Sequence, residues 1–409
     1  MKRPPHVGAA YLVLFASLYA VQGVVVAYLL NFNKPYMKHA GLREDAIGDV
    51  QTLALLPMVL KFLVGPLSDR VNLFGVGHRR PYIVLGLLMQ AAGLVGLALL
   101  DPRQRLSEFA ALAVLAVTGL AFYDTCCDGM VVDVTPPELR ARVQGMLWTS
   151  RFLAATVFTL GFGAWLGWLG GAGHADRLLW ASAGLTAVPA VLALVLREPP
   201  RAVDAEAFQW SAMGVMLRRR SLYLLAFGGL YGLGGTGVES NLSLYYGRLG
   251  FDGGGDVGVL GACRNFGRAT GALLLPLALA RIGRRAVLAL GVFGLGAAIA
   301  GQTLVGSRFG AGMFGFLFGA ASGWDDALFA FLAMEAADPR MAASTFALFM
   351  AVTNLSVVGD ALFARGIAGF GAYRLPFLAA SLVVVCAWPL TWPLSRPPKV
   401  REGGDAVAA

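Results

Sequence analysis

The residues of this sequence able to do chemistry are carboxylates and guanidinium groups set inside long apolar runs. Asp124 and Asp128 are spaced i, i+4 and share one helical face, and Asp133 lies nine residues beyond Asp124, about 13 Å along a helix axis. Arg151 stands nine residues in from Arg142, a spacing that puts it at the depth of Asp124 and predicts a pair with Asp124 or Asp128. Asp325 and Asp326 are adjacent and so point to different faces, Arg264 and Arg268 are again i, i+4, and Glu239, Lys61, Asp360 and Arg365 complete the set. A charge at membrane depth costs about 2.5–3.5 kcal/mol and persists when paired or facing a watery cavity. Two roles fit such groups. Asp124, Asp128, Glu239, Asp325 and Asp326 are proton-coupling candidates, since protonating a carboxylate frees its basic partner and lets packed helices move. Arg151, Arg264 and Arg268, with the polar edges Tyr19, Gln22, Tyr231 and Asn241, are substrate-binding candidates suited to an anionic or zwitterionic group; Tyr28 and Asn31 add further polar edges. The plainer role is a static interhelical pair that fixes packing. Lys61 is expected to snorkel to the inner surface, and Asp360 with Arg365 to serve packing or an outer gate.

Metal and cofactor chemistry have no such footing. His6, His39, His78 and His174 fall in loops or at the terminus, and Cys126, Cys127, Cys263 and Cys386 form no C-x-x-C pattern. No metal site, disulfide framework or cofactor is expected.

The elements that must carry these charges follow from composition. Of 409 residues, 57% are hydrophobic and 14% charged, with 53 glycines; mean hydropathy is +0.67. A soluble globule could not hide that much apolar surface. This excludes a soluble enzyme, a disordered chain, a nucleic-acid binder and a secreted disulfide scaffold. The net charge of +9 is read as basic residues on cytoplasmic loops. Spans of about 20 apolar residues are predicted at 8–30, 46–67, 80–100, 108–132, 142–168, 176–196, 221–246, 255–280, 284–304, 309–335, 341–366 and 372–394. The first is too long for a signal-peptide core and is read as uncleaved. Loops on the N-terminal side, with Lys2 and Arg3, carry 19 Lys/Arg against 9 on the other side, which puts both termini in the cytoplasm. The long connection 197–220 holds Phe208, Trp210, Met213 and Met216 before Arg218-Arg219-Arg220 and reads as a surface amphipathic helix or a basic linker. The tail 396–409 is expected to be disordered.

The sequence also repeats itself. At an offset of 202, Phe122-Tyr123-Asp124 faces Trp324-Asp325-Asp326, Asp133 faces Glu335 and Pro137 faces Pro339. Pro66-Leu67 before Arg79-Arg80 matches Pro276-Leu277 before Arg284-Arg285, and Tyr19 with Gly23 matches Tyr231 with Gly235. The expected organisation is an N-terminal six-helix bundle (1–196), a linker (197–220), a C-terminal six-helix bundle (221–395) and the tail. Substrate sites of such repeats lie between the halves near midplane.

The sharpest motif is Gly65-Pro66-Leu67-Ser68-Asp69-Arg70 followed by Arg79-Arg80-Pro81. Gly65 permits close helix approach. Asp69 can meet a neighbouring helix N-terminus or the Arg cluster, and Arg79 or Arg80 can bridge to Asp133. This resembles the helix 2–3 signature of the major facilitator superfamily, with a loop lengthened through 71–77 and with Leu279 standing near the Asp69 position of the second copy. The lengthened loop and Val143-Gln144-Gly145-Met146-Leu147-Trp148-Thr149-Ser150-Arg151 are similar to the folate–biopterin transporter branch. The loop also resembles the muropeptide permease and bacteriochlorophyll-delivery branches. The resemblance implies an all-α polytopic fold of twelve transmembrane helices in two pseudo-symmetric bundles, with helices 1, 4, 7 and 10 lining a central cavity. It implies a secondary transporter of the bacterial inner membrane, working by alternating access, coupled to protons, and acting as a monomer on a small solute in a lipid bilayer. The gating motif would comprise Gly65, Asp69, Arg70, Arg79, Arg80, Asp133 and Glu335. The alternative it implies is a non-transporting assembly or delivery factor with the same fold. A membrane enzyme would need a convergent His, Asp or Cys constellation at the surface, which the loops do not offer.

Overall fold

The computed structural model describes residues 7–42, 44–75, 77–198, 210–251, 254–354 and 357–396, and these are helices joined by short loops. Lys2, Arg3, Arg201, Phe208, the tail beyond 396 and the side chain of Asp360 lie outside the described residues. The helices are α1 (Ala9–Asn31, extended by Asn33–His39), α2 (Glu44–Leu60, continued by Val64–Arg70), α3 (Arg80–Leu99), α4 (Leu106–Val134), α5 (Arg140–Leu169) and α6 (Asp176–Val195). The second set is α7 (Arg219–Arg248), α8 (254–282), α9 (284–301), α10 (Arg308–Ala336), α11 (Ala342–Asn354 and Val357–Phe370) and α12 (Arg374–Val385 and Trp388–Leu394).

Nine helices among the described residues are long and apolar enough to cross a membrane, and one of them, Gly255–Leu304, is 50 residues long. It is two traverses. Gly283 interrupts it with φ 77°, ψ 165°, a left-handed conformation that glycine adopts without steric cost, so α8 reverses into α9 where the sequence reading separates them. The helices α7 and α11 complete the twelve.

The two sets pack alike. Helix α1 packs on α5 and α6 as α7 packs on α11 and α12, and α3 on α4 as α9 on α10. At residue level, Gly86 lies on the α4 backbone at Gly119, while the indole Nε1 of Trp324 donates to the Val287 carbonyl at 3.1 Å. The sets meet along α5–α8, where Thr149 donates to the Ala269 carbonyl at 3.4 Å, and along α2–α11, where the Asn354 amide donates to the Met58 carbonyl at 2.8 Å. The linker segment Trp210–Leu217 is a 3-10 helix whose Val215 and Met216 are buried against the protein. A helix is thus present over 210–217, 3-10 in form, while residues 199–209 of the connection lie outside the described residues.

Candidate functional site

A cavity of about 230 Å3 lies between the two sets. Its walls come from α1 (Tyr19, Leu30), α2 (Met58, Lys61), α4 (Asp124, Asp128), α5 (Trp148, Arg151, Phe152), α7 (Tyr231, Glu239), α8 (Arg268), α10 (Asp326) and α11 (Met350, Asn354). Helices 1, 4, 7 and 10 do line it, and α2, α5, α8 and α11 contribute as much. From Tyr19 the α1 wall runs through Val26 and Leu30, away from the face that carries the α2–α3 loop.

On the first-half wall the buried Asp124 receives the Lys61 ammonium at 2.8 Å and the Gln22 amide at 2.6 Å. One turn along, Asp128 receives the Tyr19 hydroxyl at 2.6 Å. This corrects two expectations. Arg151 pairs with neither aspartate; its guanidinium lies over the Trp148 ring at 5.0 Å. Lys61 does not snorkel and is 4% exposed. Pro57 lacks the N–H that would extend the α ladder of α2. The 3-10 turn Lys61–Leu63 follows it. Lys61 is spaced i+3 from Met58 and shares its face, so both side chains line the cavity.

On the second-half wall Glu239 forms a fork with Arg268, at 2.6 and 2.8 Å, a bidentate pairing among the stronger polar contacts. Arg268 also reaches Asp326 at 3.6 Å and lies over the Phe152 ring at 4.9 Å, so it crosses from one set to the other. Asp326 is thus the counterpart of Asp124, as the repeat predicts. Its neighbour Asp325 is fully buried behind the wall, against Gly291 of α9, and both its oxygens lack a hydrogen-bond partner. Arg264 approaches Glu239 at 3.8 Å and Asn241 donates to Gly237 of its own helix at 2.9 Å; neither lines the cavity. Tyr28 is buried and Asn31 donates to Ala27, both off the wall, and Arg365 is exposed.

The motif residues meet at the far end of the cavity. Asp69 accepts from the Ser344 backbone N–H at 2.8 Å and from the Ser344 hydroxyl, at the N-terminus of α11, while Arg79 Nη2 lies 2.6 Å from its carboxylate. A carboxylate on the first-turn amides of a helix is a favourable cap, here supplied from the other set. Both expected partners are present at once. Arg79 also reaches Asp133 at 3.2 Å and the Ser68 hydroxyl at 2.9 Å. Burial works against the Arg79 charge, but Asp133 and Asp69 outweigh it and hold the guanidinium above its ordinary pKa. Gly65 lies against Ser344, and a Cβ there would sit 2.8 Å from the Ser344 nitrogen. Arg80 takes no part in that cluster. Its Nε donates to the Ala193 carbonyl at 2.8 Å and Nη2 to Leu194, closing the C-terminus of α6. Arg70 is exposed. In the second half Glu335 pairs with Arg284 (3.1 Å) and Arg220 (3.5 Å), all within that half.

The sequence reading missed several members of this arrangement. Trp148 and Phe152, the aromatic faces under Arg151 and Arg268, carry only the signal of their proximity to Arg151. Ser344 carries the signal of a helix start. Glu198 accepts from the backbone N–H groups of His78, Arg79 and Arg80 at 3.1, 2.9 and 3.1 Å, a contact across about 120 residues that no local pattern announces.

Comparisons with known proteins agree with this geometry. The chain is 33% identical over 162 residues to the folate-biopterin transporter of Synechocystis sp., covering 38% of this chain and 32% of that protein. It is 28% identical over 161 residues to the anhydromuropeptide permease of Escherichia coli, covering 37% and 31%. The chain thus matches about a third of the length of each relative. Among solved structures, the transporter FucP in its outward conformation superposes with TM-score 0.73 at 12% identity, over 93% of this chain and 98% of that one. The human organic anion transporter MFSD10 superposes with TM-score 0.68 at 15% identity, over 93% and 97%. These likenesses establish a common fold, and a family model matching residues 10–263, well over half of the chain, makes it a member of the Major Facilitator Superfamily.

Proposed function

We propose that this chain is a secondary active transporter that moves a small anionic or zwitterionic solute by alternating access, driven by protons, across a bacterial inner membrane. One observation carries the reading. A cavity walled by ion pairs lies between two six-helix sets, and it is sealed on one face by Asp69 bound to the start of α11. Residues 1–196 and 221–395 are taken as the moving halves, 197–220 as the linker and 396–409 as the tail. The face carrying Asp69 is taken as cytoplasmic, as the Lys/Arg asymmetry requires, with the chain acting as a monomer.

Asp69, Arg79 and Asp133, with Gly65 at the contact, form the latch that holds this face closed. Coupling works through the paired carboxylates. A proton on Asp124 weakens its hold on Lys61, and a proton on Glu239 or Asp326 weakens theirs on Arg268, which changes the relative stability of the two arrangements. The polar, charged wall supports solute passage over the alternative of a delivery factor. The test is reconstitution into proteoliposomes with an imposed pH gradient. Wild type accumulates solute down the proton gradient. Asp124→Asn loses gradient-driven uptake and retains solute exchange. If gradient-driven uptake survives that change intact, Asp124 is not a coupling site.

A further inference from the structure

The charges on the cavity wall are unevenly satisfied. Lys61 is taken by Asp124, and Arg268 by Glu239 and Asp326. Two groups remain. Among the described residues Arg151 has neither a hydrogen bond nor an ion pair; its buried Nε is without a partner and its one polar contact is the Trp148 π face. Asp128 receives a neutral hydroxyl, that of Tyr19, and no cation. Both line the same cavity. Between them stand Tyr19 and Trp148, whose rings meet edge-on at 6.1 Å between centroids. A carboxylate buried without a cation is costly to ionise, which is the position of Asp128, and the half-buried Arg151 presents a guanidinium without an anion to the same cavity.

We infer that Arg151 and Asp128 together form a zwitterion site: Arg151 receives the carboxylate of the solute and Asp128 its ammonium group, with the chain between them lying along Tyr19 and Trp148. This rests on the transport reading above and deepens it. A carboxylate is the planar partner that a guanidinium binds through two parallel hydrogen bonds. An ammonium supplies the cation that Asp128 lacks, while its remaining N–H groups stay free for the Tyr19 oxygen or water. The ligand neutralises both residual charges at once, which an anion or a cation alone cannot do. The cavity of about 230 Å3 lies below the range of about 300–1,000 Å3 typical of sites for drug-sized ligands. The site is therefore sized for a compact amino acid-like molecule.

The test uses the full-length protein in lipid nanodiscs and a series of linear ω-amino acids, from glycine to 6-aminohexanoate, with the monocarboxylate and the monoamine of matching length. Binding is read by calorimetry and by thermal shift. At least one chain length binds, and binds about tenfold or more tightly than either monofunctional analogue, since each loses one charge-assisted contact. Arg151→Gln brings the zwitterion down to the level of the amine, and Asp128→Asn brings it down to the level of the carboxylate. Ligand-free melting shows that both variants are folded, and the wild-type series decides the matter even without them. Equal affinity for the zwitterion and its carboxylate, or binding of no member of the series, overturns the inference. Selective binding with no flux in proteoliposomes instead refutes transport and leaves the site standing.

Discussion

Replacing Asp69 with Asn removes the charge from the contact that closes one face of the cavity. In the wild type the carboxylate accepts the Ser344 N–H at 2.8 Å and the Ser344 hydroxyl, both across the boundary between the halves, while Arg79 and Asp133 belong to its own half. Only the contacts across the boundary differ between the closed and open arrangements. Both bonds from Ser344 fall on one carboxylate oxygen, Oδ2, so asparagine can keep both and loses only the charge that strengthens them. With about 1.5–3 kcal/mol for a hydrogen bond to a charged group against about 0.5–1.5 kcal/mol for a neutral one, the closed arrangement loses about 2–3 kcal/mol. That corresponds to a shift of about 30- to 150-fold in the closed-to-open ratio. Spin labels on Val71→Cys and Arg281→Cys, one on each half at this face and both exposed, report the opening as a distance. The accessible native thiols Cys263 and Cys386 are first changed to Ser. Asp69→Asn should move most of the population to longer distances and reduce solute uptake while expression holds. A distance distribution like that of the wild type, together with undiminished uptake, refutes the latch.

The same face gives three further expectations. Gly65→Val introduces a Cβ 2.8 Å from the Ser344 backbone nitrogen, so it should open the labelled face as Asp69→Asn does although no charge changes; an unaltered distance shows that the contact yields instead. Glu335→Gln weakens pairs with Arg284 and Arg220, so about 1–3 kcal/mol of stability is lost and the melting temperature falls; an unchanged melting temperature shows that these pairs contribute nothing. Glu198→Ala deprives three amides of their acceptor at a cost of about 1–2 kcal/mol, and hydrogen exchange at residues 78–80 should quicken; unchanged exchange there means the cap contributes nothing.

Depth along each helix was legible in the sequence; direction around each helix was not. Hydropathy located the spans because every backbone group in lipid must be satisfied inside a helix. The charges at Arg281 and Arg284 marked the reversal at Gly283, although the turn itself is a single residue. The repeat placed Asp124 opposite Asp326 and Asp133 opposite Glu335, and each pair does occupy matching places in its half. Counting residues put Arg151 at the level of Asp124 but could not reveal that its guanidinium turns onto Trp148. Nor did it show Lys61 facing inward: Lys61 stands i+3 from Met58 and shares its face, but which face of α2 meets the cavity is set by packing against the other helices. The cap that Glu198 sets on α3 depends on where two distant segments come to lie, which is a property of the packed bundle.

On the transport reading proposed above, the composition of the latch accounts for a contact that is both firm and reversible. A buried ion pair broken by withdrawing one partner leaves an uncompensated charge, at about 3–5 kcal/mol, and a gate built that way would rarely open. Here the cation has a second anion. When the halves part, Arg79 keeps Asp133 at 3.2 Å and Ser68 at 2.9 Å within its own half, and Asp69 can keep Arg79 as well, since neither residue belongs to α11. What is surrendered is the cap on α11 alone, and the freed Ser344 N–H and hydroxyl gain water in exchange. Among the described residues the second half shows no such cap on a helix of the first: Leu279 stands near the position that Asp69 occupies in the first half, and Glu335 pairs with Arg284 and Arg220 while its field also reaches Arg140 at the start of α5. Among the described residues the helix cap that spans this face is the one Asp69 sets on α11. Its strength of a few kcal/mol is of the order by which occupancy of the cavity can shift a two-state equilibrium, so changes in how Asp124, Asp128 and Arg151 are neutralised are large enough to decide whether the face opens.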